Sequence, residues 1–306
     1  MSHPITVTHR HGENITVAAA GTEILNYVYK PDPVEYESRK PYVHPLRTLA
    51  GSTVTGYRPN DHRWHKGLQL TASHVSGQNF WGGHSYVTGE GYRELPERIG
   101  SMRHDEFESF EVETDELRFT ERLHWLHNDG TPWAREHRSI RVHSVDPERG
   151  SWALDWSIRL VNVREQPLRF GSPTTAGREM AGYTGLHWRG PREFTGGDVL
   201  GPGGISGEAG MMGRRARWLG FVGEHDEVDR CSTVVFEHAP ANDHAIHESH
   251  WFVRSEPTPA VALSWAFFEE FALPPGEDFS YTYRILLADG ARDHEQIERE
   301  LDEHSW

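Results

Sequence analysis

Cysteine is almost absent from this chain: Cys231 stands alone among 306 residues, which excludes an intrachain disulfide and any zinc site built on several thiolates. No stretch approaches the ~20 consecutive apolar residues of a membrane span, and the opening MSHPITVTHRH lacks the apolar segment of a signal peptide. Positive charge is also short. A formal net charge of -15 disfavours nucleic acid and anionic lipid, both of which are bound by basic patches, so neither is expected as a partner. A cytoplasmic protein is expected. Nucleotide and hydrolase signatures are missing as well. GPGGISG places Ser206 where the last glycine of GxGxxG belongs, and there is no GKS/T loop, GxSxG elbow, CxxC or HExxH. In His247-Glu248-Ser249-His250 the second histidine comes one residue too early for the last of these. Asn14-Ile15-Thr16 matches a glycosylation sequon by chance composition.

What is present is aromatic and β-rich. Mean hydropathy is low, -0.68, yet 11 Trp, 13 Phe and 10 Tyr supply a substantial core. Alternating segments recur at Ile5 to Arg10, Ile15 to Ala19, Glu23 to Tyr29, Ser109 to Val145, Trp152 to Val163, Thr233 to Glu237, Ala260 to Phe268 and Phe279 to Leu287. Phe119, Glu121, Leu123 and Trp125 fall on one strand face, and Asn128-Asp129-Gly130 reads as a turn. Strands without helical crossovers predict an all-β fold, a large antiparallel β-sandwich spanning 1–306 as one domain. The tail, with Ile297 and Leu301 four apart, predicts a short C-terminal helix over about 292–303. Gly171 to Gly213 is glycine-rich and reads as a long functional loop.

Chemistry concentrates in two histidine-rich segments, Pro41 to Leu70 and Glu237 to Arg254, which would make a pocket if they converged. His62 and His65 stand two residues apart, with Asp61 able to orient an imidazole; the competing reading packs them against Trp64 and Tyr57. His44 sits between Pro41 and Pro45, which stiffen the backbone; it is either a held imidazole or part of a strand end. His44, His62 and His65 together would suit a divalent ion if one is bound; no other cofactor is expected. In the middle group, Glu179, His187 and Arg189 stand near Trp188, a mixture suited to a sugar, or else Trp188 is core and Arg189 surface. In the last group stand His238, Asn242, His250, Trp251 and Arg254. Trp251 and Phe252 point to opposite faces of a strand, so one is buried while the other is free to line a cleft. Arg254 is either a ligand anchor or a surface partner of Glu256.

The order PYVHPL, DHRWHKGL, GLHWRG, HAPAND and HWFVR, with Phe267-Phe268 after it, resembles a bacterial family called PmoA-like, after a methane oxygenase subunit. The resemblance spans Pro41 to Asp289. It implies a protein of carbohydrate use, similar in strand content to the galactose mutarotase-like β-supersandwich, where a histidine acid and a carboxylate base act on the sugar ring. The expected function is therefore histidine-mediated acid–base chemistry on a monosaccharide or a modified or oxidised sugar, as an epimerase, lyase or glycoside-cleaving enzyme. His65, His238 and Glu179 are the expected catalytic groups. His44, His62, His187, Arg189, Asn242, Trp251 and Arg254 are the expected substrate contacts. A non-catalytic sugar-binding or regulatory module, and a metal-dependent hydrolase or oxygenase, remain as alternatives.

Overall fold

The computed structural model describes residues 3–306. Alternation builds most strands. In Leu117–Leu126 the residues Leu117, Phe119, Glu121, Leu123 and Trp125 are buried while Arg118 faces out, as period two requires. The chain then turns at Asn128-Asp129-Gly130 into Pro132–Asp146, with Gly130 at φ 88° and the Thr131 N–H donating to Asp129 Oδ1 at 2.8 Å.

Two large antiparallel sheets result. From edge to edge the first contains Ile5–Arg10, Asn14–Ala19, Thr22–Val28, Tyr42–Leu46, Leu68–Ala72, Thr184–Arg189, Ala260–Ser264 and His250–Arg254. The second contains Ile205–Ser206, Asp198–Gly201, Trp218–Glu224, Cys231–His238, Asp278–Asp289, Ser151–Asn162, Pro132–Asp146, Leu117–Leu126 and Ser101–Val112. They pack face to face through aromatic residues. Trp188 of the first sheet meets Phe221 and Phe236 of the second at ring distances of 5.2 and 5.6 Å, and Tyr27 meets Phe119 at 5.5 Å. The fold is thus the expected antiparallel sandwich.

The C-terminal helix, His294–Glu303, starts two residues later than expected, because Asp293 is its cap: its carboxylate accepts from the Gln296 N–H and Gln296 Oε1 accepts from the Asp293 N–H. Ile297 and Leu301 pack on Trp218, Val235 and Leu286, covering the outer face of the second sheet. No helix among the described residues is long and apolar enough to cross a membrane.

One expectation changes. The stretch Gly171 to Gly213 is not a continuous loop, for it holds Thr184–Arg189 near the middle of the first sheet. All six residues of that strand are buried, since both of its faces are covered. Leu186 and Trp188 point between the sheets, which turns His187 and Arg189 to the opposite face.

Candidate functional site

Register across the first sheet sets a floor on its outer face. His187 pairs with Gln69 on one side and Ala262 on the other, and Ala262 pairs with Phe252. In the next row Ala260 lies between Arg189 and Arg254. Residues paired across strands share a face, so each row sets a small alanine between large polar or aromatic side chains. The alanines leave room. A cavity of about 590 Å³ stands over this floor, a size suited to a small-molecule ligand.

Loops wall it. Asn60 to His65 forms one side, and Ser73, His74, Trp81, Gly82, His84, Tyr86 and Tyr92 form another. Pro173, Arg178 and Tyr183 close a third. Trp81 stacks on Tyr183 at 4.8 Å and touches His187 at 4.6 Å, so a broad aromatic surface meets the imidazole. Gly83 permits the loop to approach, since a Cβ there would lie 2.5 Å from the Trp64 ring, and its φ of 67° belongs to the left-handed region. Lys40, itself buried, braces the loop by donating to the Trp81 carbonyl at 2.8 Å.

The imidazoles form a row, His62 to His65 at 5.0 Å and His65 to His187 at 4.8 Å between ring centres. Burial, reinforced by the nearby Arg189 and Lys40 charges, holds His65 and His187 well below the usual histidine range. Both are neutral at pH 7. Arg189 Nη1 donates to His65 Nδ1 at 3.2 Å. A guanidinium only donates, so Nδ1 is the acceptor and the His65 proton sits on Nε2. Burial pulls Arg189 itself down to about 10, leaving it charged. The decisive feature is what these groups lack. His65 Nε2, both ring nitrogens of His187, and Nε and Nη2 of Arg189 are buried with no hydrogen-bond partner. Each such group costs about 1–3 kcal/mol, so a cluster of them calls for a partner from outside the chain.

The expected site residues divide. His62, His65, His187, Arg189 and Arg254 line the cavity, with Phe252 beside Arg254. Arg254 pairs with Glu208, not with Glu256. Trp251 is fully buried, its Nε1 donating to the Ala216 carbonyl at 2.9 Å, and Phe252 is the neighbour that faces the cleft. His44 stands outside: its ring stacks on Tyr57 at 4.8 Å and its Nδ1 shares a 2.9 Å hydrogen bond with Thr55. The set His44, His62 and His65 is therefore not gathered, and among the described residues no group of three or more donors is arranged to hold a metal ion. His238 and Asn242 lie on a different depression with Arg215, Arg217 and His247, because the strand Cys231–His238 belongs to the second sheet. Convergence of the two histidine-rich segments thus holds for Arg254 and not for His238. Glu179 is exposed and outside the cavity lining, whereas its neighbour Arg178 lines it and donates to the Tyr183 hydroxyl at 2.9 Å.

Sequence reasoning missed Trp81, Arg178, Tyr183 and the Tyr86 and Tyr92 pair. A signal existed in GQNFWGGHSY, where two glycines between Trp81 and His84 mark a backbone pressed against another group.

Several solved structures are similar to this chain. A GH36 α-galactosidase from Geobacillus stearothermophilus, in complex with raffinose, is 10% identical with a TM-score of 0.41, over 94% of this chain and 41% of that one. The chain thus spans less than half of that enzyme's length. A galactose 1-epimerase from Lactobacillus acidophilus is 10% identical with a TM-score of 0.35, over 93% and 94% of the two chains. An aldose epimerase homologue from C. elegans is 8% identical with a TM-score of 0.34, over 95% and 100%. No curated protein matches the sequence. Residues 14–302 match the model of DUF6807, a family of unknown function, and the chain belongs to that family.

Proposed function

We propose that this protein is an enzyme that uses neutral imidazoles for acid–base chemistry on a monosaccharide or modified sugar, by epimerisation, elimination or cleavage of a glycoside. The observation that carries the reading is the cluster of partnerless polar atoms on His65, His187 and Arg189 at the floor of an aromatic-walled cavity. A sugar supplies what that cluster lacks. Its hydroxyls donate and accept at once, satisfying imidazole nitrogens of either polarity, and its C–H face covers an aromatic ring such as Trp81. His65, with its proton on Nε2, would donate toward a ligand oxygen. His187 is neutral and therefore able to accept a proton from carbon or oxygen.

The PmoA-like resemblance belongs to the same proposal, since its DHRWHKGL and GLHWRG motifs contain His62, His65, His187 and Arg189. A cytosolic setting suits a chain whose sole thiol is Cys231.

The test is turnover of a sugar panel in D₂O, followed by proton NMR for C–H exchange, epimerisation or bond cleavage. His187→Gln and His65→Gln are expected to slow the reaction by about 10²–10⁴-fold while leaving sugar affinity within about tenfold. Wild-type protein that binds a sugar but transforms none would instead be a binding module. Variants that keep the full rate would remove the imidazoles from the chemistry.

A further inference from the structure

Around the cavity the chain's charge balance inverts. The protein as a whole is strongly acidic, yet Arg63, Arg178, Arg189 and Arg254 line the cavity against one carboxylate, Asp61. Of these arginines Arg254 alone forms an ion pair with a carboxylate among the described residues, and its partner is Glu208. Asp61 lies 3.4 Å from Arg192 and 3.3 Å from His62, and its charge favours the charged form of Arg189 without coming within ion-pair distance of it.

Arg189 is the most telling of the four. Four arginines elsewhere in this chain present one edge, the Nε and Nη2 N–H groups together, to a carboxylate. Arg138 does so to Glu136 at 2.7 and 3.0 Å, Arg284 to Asp155 at 2.7 and 3.1 Å, and Arg159 to Asp278 at 2.9 Å for both bonds. Arg58 makes the same contact with Glu37. At Arg189 the same two atoms are buried and bonded to nothing, while Nη1 is taken by His65. The pair of parallel donors is the geometric complement of a planar carboxylate.

We infer that the ligand is a sugar acid whose carboxylate docks on the Nε and Nη2 edge of Arg189; this rests on the sugar reading of the same cavity. The site takes one planar anion, because Arg189 is the one arginine of the four whose edge of two parallel donors is both buried and unpartnered. A phosphate would draw on a cluster of backbone N–H groups or several free cations around one point. The seating has a chemical consequence. An anion beside Arg189 offsets the positive charge that, together with burial, disfavours protonation of His65 and His187, so substrate binding itself would bring the imidazoles toward a working range. Arg254, across Ala260 in the same row and about 10 Å away at the backbone, would meet the far side of the ligand.

The experiment is calorimetric titration of the full chain with galacturonate and glucuronate, with galactose and glucose, with the two hexose 6-phosphates, and with tartrate as a carboxylate that is not a sugar. The uronates are expected to bind about 10- to 100-fold more tightly than the neutral hexoses. Arg189→Met should erase that preference, and Arg189→Lys, which keeps the charge and loses the fork, should restore little of it. Thermal melts of both variants confirm that they fold, and the lysine variant carries the test if the methionine variant does not. Equal binding of uronate and neutral hexose overturns the inference while leaving the sugar reading in place. Tighter binding of the phosphates overturns the carboxylate assignment. Tartrate binding that Arg189→Met abolishes, with no uronate binding, sinks the sugar reading and keeps the carboxylate site, whereas binding of nothing overturns both.

Discussion

Two buried polar clusters in this molecule invite comparison, because each centres on an arginine that solvent barely reaches. In the first, Arg138 donates to both oxygens of Glu136 and, at 3.1 Å, to the Tyr27 hydroxyl; Trp125 Nε1 adds a 2.7 Å bond to Glu136, and His104 Nδ1 meets Glu121 at 2.5 Å. Tyr27 completes the ring by donating to Glu121. Burial alone would weaken the charge on Arg138, but Glu136, Tyr27 and Glu121 more than reverse it and raise its pKa. In the second cluster Arg189 has two neutral imidazoles and no carboxylate within ion-pair reach among the described residues, and burial draws its pKa down to about 10. The same residue type at similar burial shifts in opposite directions. A buried charge whose partners are all internal is part of the scaffold, and one whose partners are missing is what the proposed ligand site rests on.

The sharpest way to break that comparison is to remove each arginine in turn and measure unfolding by urea. Arg138→Met strands Glu136 and Glu121 in the core, and the expected loss is about 3–5 kcal/mol. Arg189→Met removes a charge with no carboxylate within ion-pair reach among the described residues, so its stability is expected to stay within about 1 kcal/mol of wild type or to rise. Similar losses for both would show that Arg189 belongs to the scaffold.

Acid offers a second, smaller contrast. In the unfolded chain imidazoles take up protons near pH 6.5. In the fold, burial holds His65 and His187 well below that range, His44 down to about 4 and His238 down to about 3. The folded form therefore binds fewer protons between those values, and the stability this confers is complete above about pH 6.5 and drains away as the pH falls. Urea midpoints measured from pH 7.5 to pH 4.5 should fall steadily, and His187→Gln should flatten the fall. An unchanged slope in that variant would mean that His187 already titrates normally.

The smallest effect is expected at Glu179. It is exposed and outside the cavity lining, so Glu179→Gln should alter turnover by less than about twofold and the free energy of unfolding in urea by less than about 0.5 kcal/mol. A large loss of rate would bring a carboxylate to the chemistry from a wall that His187 and Arg189 do not share.

Much of this was legible in the residues. Alternation in Leu117–Leu126 predicted that Phe119, Glu121, Leu123 and Trp125 share one face, and the i,i+4 pair Ile297 and Leu301 predicted the final helix. The motif DHRWHKGL pointed at His62 and His65, and strand parity separated Trp251 from Phe252. Glycine content misled: it suggested a loop where Thr184–Arg189 is an inner strand, in which Gly185 has φ 88° and a Cβ added to it would lie 1.9 Å from the Leu263 carbonyl oxygen. His44, His238 and Glu179 drew attention by residue type, which says nothing of the sheet or wall a side chain belongs to.

Local chemistry specified strands, turns, a cap and the side of the ribbon on which each residue lies, because these depend on neighbours within a few positions. Which ribbons lie side by side depends on burial summed over the whole molecule. Pairing of Gln69, His187, Ala262 and Phe252 in one row, and of Arg189, Ala260 and Arg254 in the next, joins segments up to about 190 positions apart. No short stretch carries that information, and it is the pairing that opened a cavity over two alanines and left a guanidinium edge inside it without a partner.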